Sequence, residues 1–139
     1  MSEGYRTFDH TGDLGLEVWA ETPERLFALA ATALLAQVVE VAEGVSEVRV
    51  DLELDGDDAA DLLVHWLNTA LLEAELRRAV WTQARVHRFS PQGLSATLEG
   101  PRFDRTRQTP LREVKAVSHH GLELSLDPPG CRCRVVIDL

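Results

Sequence analysis

Leu14, Leu16, Val18 and Ala20 alternate with Gly15, Glu17 and Trp19. That period of two predicts a strand with one buried face. Residues 5–8 predict a short strand before it. Thr22-Pro23-Glu24 then carries the signals of a helix start: a hydroxyl at the N-cap, proline at the first helical position and an acid in the first turn. The helix is expected to run to about Val41 and to stop at Glu43-Gly44. Its middle, residues 26–36, is apolar almost all round, which places it at the centre of the domain.

Val48, Val50, Leu52 and Leu54 alternate with Glu47, Arg49, Asp51 and Glu53, a strand with one wet face. Asp55-Gly56-Asp57-Asp58 turns the chain and supplies an acidic N-cap for a second helix over about 58–78. Ala59, Leu62, Leu63, Trp66, Leu67, Ala70, Leu71 and Ala74 form its apolar stripe, with Asp61, His65 and Asn68 off it. Strands follow: 80–89, a turn at Ser90-Pro91-Gln92-Gly93, then 94–98. A polar, arginine-bearing loop covers 100–110. A strand over 111–119, a tight turn at His120-Gly121, a strand over 122–126, a turn at Asp127-Pro128-Pro129-Gly130 and a closing strand over 131–138 complete the chain. There is no internal repeat or linker. The order β-β-α-β-α followed by hairpins implies an α+β fold, one domain over 1–139, with two helices packed against mostly antiparallel sheet.

Composition narrows the class. A chain of 139 residues, 45% hydrophobic and 27% charged, is long and apolar enough for one soluble core. No apolar run is long enough to span a bilayer, and residues 1–6 lack the basic start of a signal peptide. The cytoplasm is the expected compartment. Cys131 and Cys133 lie two apart on a strand and so share a face, which favours reduced thiols over a disulfide, redox or metal pair. Residues 1–75 hold three arginines and 17 acids, a charge of −14; residues 76–139 hold ten arginines and one lysine against six acids, a charge of +5. The acidic half would repel a phosphate backbone, so direct RNA binding is not expected. It would suit a divalent cation or a basic partner.

The sequence contains no glycine-rich phosphate loop, nucleophile elbow or zinc-spaced Cys/His array. Ser118 and His119 are adjacent on a strand and point opposite ways, so they do not read as nucleophile and base. Asp55, Asp57 and Asp61 lack the glycine and closing glutamate of a calcium loop, and helix capping accounts for them. Asp13 and Asp138 carry a conditional reading. If the two chain ends meet, they gather carboxylates that must either raise a pKa or hold a cation. Otherwise Asp13 caps a strand entry and Asp138 is a frayed end. Lys115, the chain's one lysine, reads as an edge or salt-bridge residue or as a functional one.

Three segments together resemble the archease family. They are Asp9-His10-Thr11-Gly12-Asp13-Leu14-Gly15-Leu16, the helix segment Leu62-Leu63-Val64-His65-Trp66-Leu67-Asn68, and Glu113-Val114-Lys115-Ala116-Val117-Ser118-His119-His120-Gly121-Leu122 with the terminal Val136-Ile137-Asp138-Leu139. They occur in the family's order. Gly12 stands where alanine is usual, and His119 where an aromatic residue is frequent.

The resemblance implies an accessory protein rather than an enzyme. Archeases support an RNA-splicing ligase of the RtcB type, promoting guanylylation of its histidine and multiple turnover in tRNA splicing or RNA repair. Some act as chaperone-like modulators of a tRNA methyltransferase. The family's metal site maps onto Asp13, Asp138 and Leu139, the last through its carbonyl or terminal carboxylate. Ca²⁺ is the expected ion, with Mg²⁺ or Mn²⁺ as alternatives. His10, Lys115 and His120 match positions near it. A stand-alone metal-dependent phosphohydrolase is the alternative from another class.

Overall fold

The computed structural model describes residues 2–41, 45–127 and 130–139. The helix stop at Glu43-Gly44 and the Pro128-Pro129 part of the last turn lie outside the described residues. The chain opens with a hairpin. β1 (Gly4–His10) and β2 (Asp13–Ala20) pair antiparallel, with His10 opposite Asp13 and Thr11-Gly12 between them. Gly12 sits at φ 82 with open space around it. The backbone, not crowding, therefore favours glycine there.

Helix α1 (Pro23–Val38) starts as its residues predict: the Thr22 hydroxyl accepts the Arg25 N–H at 3.2 Å. It ends earlier than the expected Val41. Val39–Val41 leave as β3, which pairs with β7 (Gln108–Pro110) inside the stretch expected to be a loop. β-branched residues suit the strand, and a tertiary partner is available there. β4 (Val48–Asp55) and α2 (Ala59–Arg77) fall where the periodicity puts them, with Asp58 as the N-cap. β5 (Gln83–Ser90) and β6 (Gly93–Gly100) follow, then β8 (Ala116–Ser125) and β9 (Cys131–Asp138). β5 begins three residues after the expected Val80; 80–82 instead crosses Gly100, so closely that a Cβ there would strike the Val80 carbonyl.

All pairings are antiparallel. A four-stranded sheet has the order β1-β2-β9-β8 and a three-stranded sheet the order β4-β6-β5. The start of the chain therefore lies beside its end. Helix α1 packs against β2 and β5, and α2 against β8 and β4. Both helices lie between the sheets, which is why α1 needs apolar residues on nearly every side. Leu16, Val18, Val135 and Ile137 from one sheet and Val50, Ala96 and Leu98 from the other join them in one core. Two tryptophans are buried there with their N–H groups satisfied: Trp66 donates to the Phe27 carbonyl at 2.8 Å and Trp81 to that of Ala70 at 2.9 Å. Cys131 and Cys133 are free and buried on the shared inner face of β9. Burial pushes the Cys133 thiol up to about 12. No helix among the described residues is long and apolar enough to cross a membrane.

Candidate functional site

Register assembles the candidate site. His10 faces Asp13 across the first hairpin. Leu14 faces Ile137, so Asp13 stands level with Asp138 one position further along. Ala116 faces Asp138 on the other side. One row thus crosses the sheet end: His10, Asp13, Asp138, Ala116. Directly opposed residues share a face. Leu14 and Ile137 belong to the core side, so Asp13 and Asp138 take the outer face, away from the helices. The convergence of chain ends on which the reading of Asp13 and Asp138 depends is present. Neither carboxylate has a hydrogen-bond or ion-pair partner among the described residues.

His10 and His120 come together at this end. Their rings approach edge-on, with centroids 6.4 Å apart. The Nδ1 of His10 is buried without a hydrogen-bond partner among the described residues. An irregularity in β8 brings His120 to this end. Ser118 pairs with Val136 and Glu123 with Arg134, so the four residues 119–122 stand opposite the single Val135. Gly121 lies over Val136, and the His120 N–H donates to the Ser118 hydroxyl at 2.9 Å. This corrects two expectations. The strand begins at Ala116 rather than Leu111, and His120-Gly121 is part of a bulge rather than a reversal. β9 keeps an unbroken inner face, so β8 must return to pairing with it beyond the extra residues.

Lys115 is adjacent to the site through its main chain: its N–H donates to the Asp138 carbonyl at 2.9 Å. It precedes β8 rather than lying on a strand, and it borders a groove beside α2 together with Asn68 and Leu71. Leu139 follows β9 and is 40% exposed. Ser118 and His119 have separate partners, His119 standing 3.3 Å from an Asp61 carboxylate oxygen. Asp58 caps α2 by accepting the Asp61 N–H, and Asp61, in the first turn, accepts the Asp57 N–H. The bond from Asp57, followed by His119, holds the Asp61 carboxyl below its usual range.

Sequence reasoning assigned no role to Asn68. Its side-chain amide donates to the Val117 carbonyl at 3.0 Å, and its oxygen accepts the Val117 N–H at 2.8 Å. It thereby replaces a neighbouring strand at the β8 edge, one residue from Ala116 in the site row. The visible signal was a polar residue bordering an apolar helical stripe, and its partner is 49 residues away. A second clamp holds the hairpin. The Phe8 ring lies across Gly15, where a Cβ would collide with it, and the Arg134 guanidinium sits 4.0 Å above the ring centroid.

The donor chemistry fits a hard cation: two level, unneutralised carboxylates, with an orphaned imidazole nitrogen nearby. Among the described residues, no three His, Cys, Asp or Glu side chains are grouped as metal ligands. The expected set differs in kind, because its third oxygen comes from the main chain of Leu139.

Residues 5–139 match the Archease protein family (MTH1598/TM1083). The chain belongs to the archease family. Protein archease of Pyrococcus furiosus is 29% identical over 126 residues, covering 88% of this chain and 89% of the relative. That of Methanopyrus kandleri is 27% identical over 138 residues, covering 97% and 99%. The solution structure of Methanobacterium thermoautotrophicum protein 1598 shares the fold with a TM-score of 0.79 at 23% identity, over 98% of this chain and 99% of that one. The crystal structure described as an archease, possible chaperone, from Thermotoga maritima gives 0.67 at 20% identity, over 96% of each. The archease-like segments of this chain become the first hairpin turn, the middle of α2 with Trp66 and Asn68, the start and bulge of β8, and the end of β9.

Proposed function

We propose that the chain is a cytoplasmic accessory protein that activates an RNA-splicing ligase of the RtcB type. It promotes guanylylation of the ligase's histidine and multiple turnover through a divalent cation held at the end of the four-stranded sheet. Asp13, Asp138 and a main-chain oxygen of Leu139 hold the cation, Ca²⁺ by preference and Mg²⁺ or Mn²⁺ otherwise. His10 and His120 stand beside it.

The observation that carries this reading is the pair of carboxylates from opposite ends of the chain, level with each other, turned away from the core and lacking a cationic partner among the described residues. Like charges held this way repel, and a dication relieves the repulsion. When bound, it supplies Lewis-acid stabilisation of phosphate oxygens. The protein's own contribution is placement. Asn68 fixes the β8 edge beside Asp138, Phe8 and Arg134 pin the hairpin that carries Asp13, and the His120 bulge covers one flank. The acidic first half of the chain favours docking on a basic, RNA-binding enzyme.

The test is a multiple-turnover ligation assay with purified ligase, run beside calorimetric titration with CaCl₂, MgCl₂ and MnCl₂. Asp13→Ala and Asp138→Ala are each expected to weaken cation binding and stimulation by about tenfold or more. Full stimulation by both variants would sink the cation's role. The second reading is a chaperone-like modulator of a tRNA methyltransferase or another partner; the description of the Thermotoga relative as a possible chaperone supports its chaperone part. It requires the same variants to lose the cation yet keep their effect on the partner.

A further inference from the structure

A groove of about 620 Å³ opens between the end of α1, α2 and residues 110–115. Its floor is largely aliphatic, including Leu35, Val38, Leu71 and Val80, with Phe103 at one side. Its rim is basic: Arg78, Arg105, Arg112 and Lys115 against Glu75 and Glu113. Arg112 is occupied by Gln37. Arg78, Arg105 and Lys115 have no hydrogen-bonded or ion-paired side-chain partner among the described residues. In a chain of net charge −9, that is unused positive charge around an apolar floor.

A second groove, of about 470 Å³, shares Arg78 and Phe103 and adds Val48, Leu76, Arg77 and Arg102. Leu72 borders the first groove and Leu76 the second; they are 53% and 67% exposed. Spaced four apart on α2, they form an apolar ridge that joins the grooves.

We propose that this double groove binds an acidic, amphipathic segment of a partner protein. The segment places apolar side chains in the two grooves and carboxylates against Arg78, Arg105 and Lys115. A small molecule is the poorer occupant. Such ligands are mostly enclosed, whereas here the apolar surface continues outward over two exposed leucines. Single-stranded nucleic acid is also disfavoured. It seeks aromatic stacking and a continuous positive track, and this floor is largely aliphatic with Glu75 and Glu113 at the rim. The proposal uses neither Asp13 nor Asp138, so it stands or falls apart from the cation site.

Display of random peptides of about 15 residues, long enough for helical anchors in both grooves, panned against the full chain, provides the probe. Enriched peptides are then measured by fluorescence anisotropy. They are expected to interleave Asp or Glu with apolar residues, and to bind about tenfold or more weakly to Arg105→Glu and to Leu72→Ser. A charge-swapped peptide should recover binding to Arg105→Glu. Thermal melts check that each variant is folded; if Leu72→Ser is not, Arg105→Glu and its charge-swapped peptide carry the test. Failure to enrich, enrichment without acidic bias, or binding indifferent to Arg105→Glu overturns the proposal. So does uridine-rich RNA that binds in an Arg105-dependent way where the peptides do not.

Discussion

The two faces of the four-stranded sheet are built from the same strands and differ in almost everything else. Leu16, Val18, Val135 and Ile137 turn inward, where each is fully buried. The alternate positions turn outward and carry His10, Asp13 and Asp138, with an orphaned ring nitrogen and two unneutralised carboxylates. The inner face is satisfied throughout, whereas the outer face pairs Arg6 with Glu17 further along and leaves its groups unpaired at this end, among the described residues. A strand's period of two lets a single stretch of chain hold the fold on odd positions and expose chemistry on even ones, or the reverse, with little cross-talk.

The sharpest way to break this comparison is to delete side chains three positions apart on β2. Leu16→Ala is expected to cost about 2–5 kcal/mol in urea unfolding. Asp13→Ala is expected to stay within about 0.5 kcal/mol in the absence of divalent cations. Equal losses would mean that the outer face also holds the fold. Cys133 tests how dry the inner face is. Its thiol is raised from 9.0 to about 12 by burial, so the folded state keeps the proton that the unfolded chain loses. Stability should therefore be intact below 9.0 and fall as pH rises toward 12, by up to about 4 kcal/mol. Unfolding curves at neutral and alkaline pH should show this slope, and Cys133→Ala should flatten it. Asn68 links the faces, because it fixes the edge of β8 from the helix side. Asn68→Ala leaves the Val117 amide and carbonyl unpaired and should cost about 1–3 kcal/mol. It should also weaken Ca²⁺ binding measured by calorimetry, whereas a purely structural Asn68 would lower the melting point and leave that affinity unchanged.

The sequence makes local rules legible and pairing rules less so. Thr22 and Asp58 cap their helices where the residues announce it, and the α2 stripe is the buried face. The alternation of β2 and β4 assigns the inner residues correctly, and Cys131 and Cys133 share a face as their spacing requires. What escaped depends on partners distant in sequence. Val39–Val41 reads as helix until Gln108–Pro110 offers a strand. His120-Gly121 has the chemistry of a turn, and only the unbroken pattern of β9 makes it a bulge. In the site, the meeting of Asp13 and Asp138 was a condition that strand order had to meet, and the pairing of β2 with β9 meets it. Asn68 was invisible as a clamp because side-chain amides carry no mark of the backbone they will hold.

The bulge in β8 has a consequence for how this surface diversifies. It is bracketed by Ser118 against Val136 and Glu123 against Arg134, and β9 is indifferent to how much chain passes between those brackets. A residue inserted or deleted among 119–122 would lengthen or shorten the arm that brings His120 to His10 while leaving every inner-face pair in register. The sheet end thus has an adjustable spacer, and descendants of this sequence can retune the reach of one imidazole without renegotiating the core.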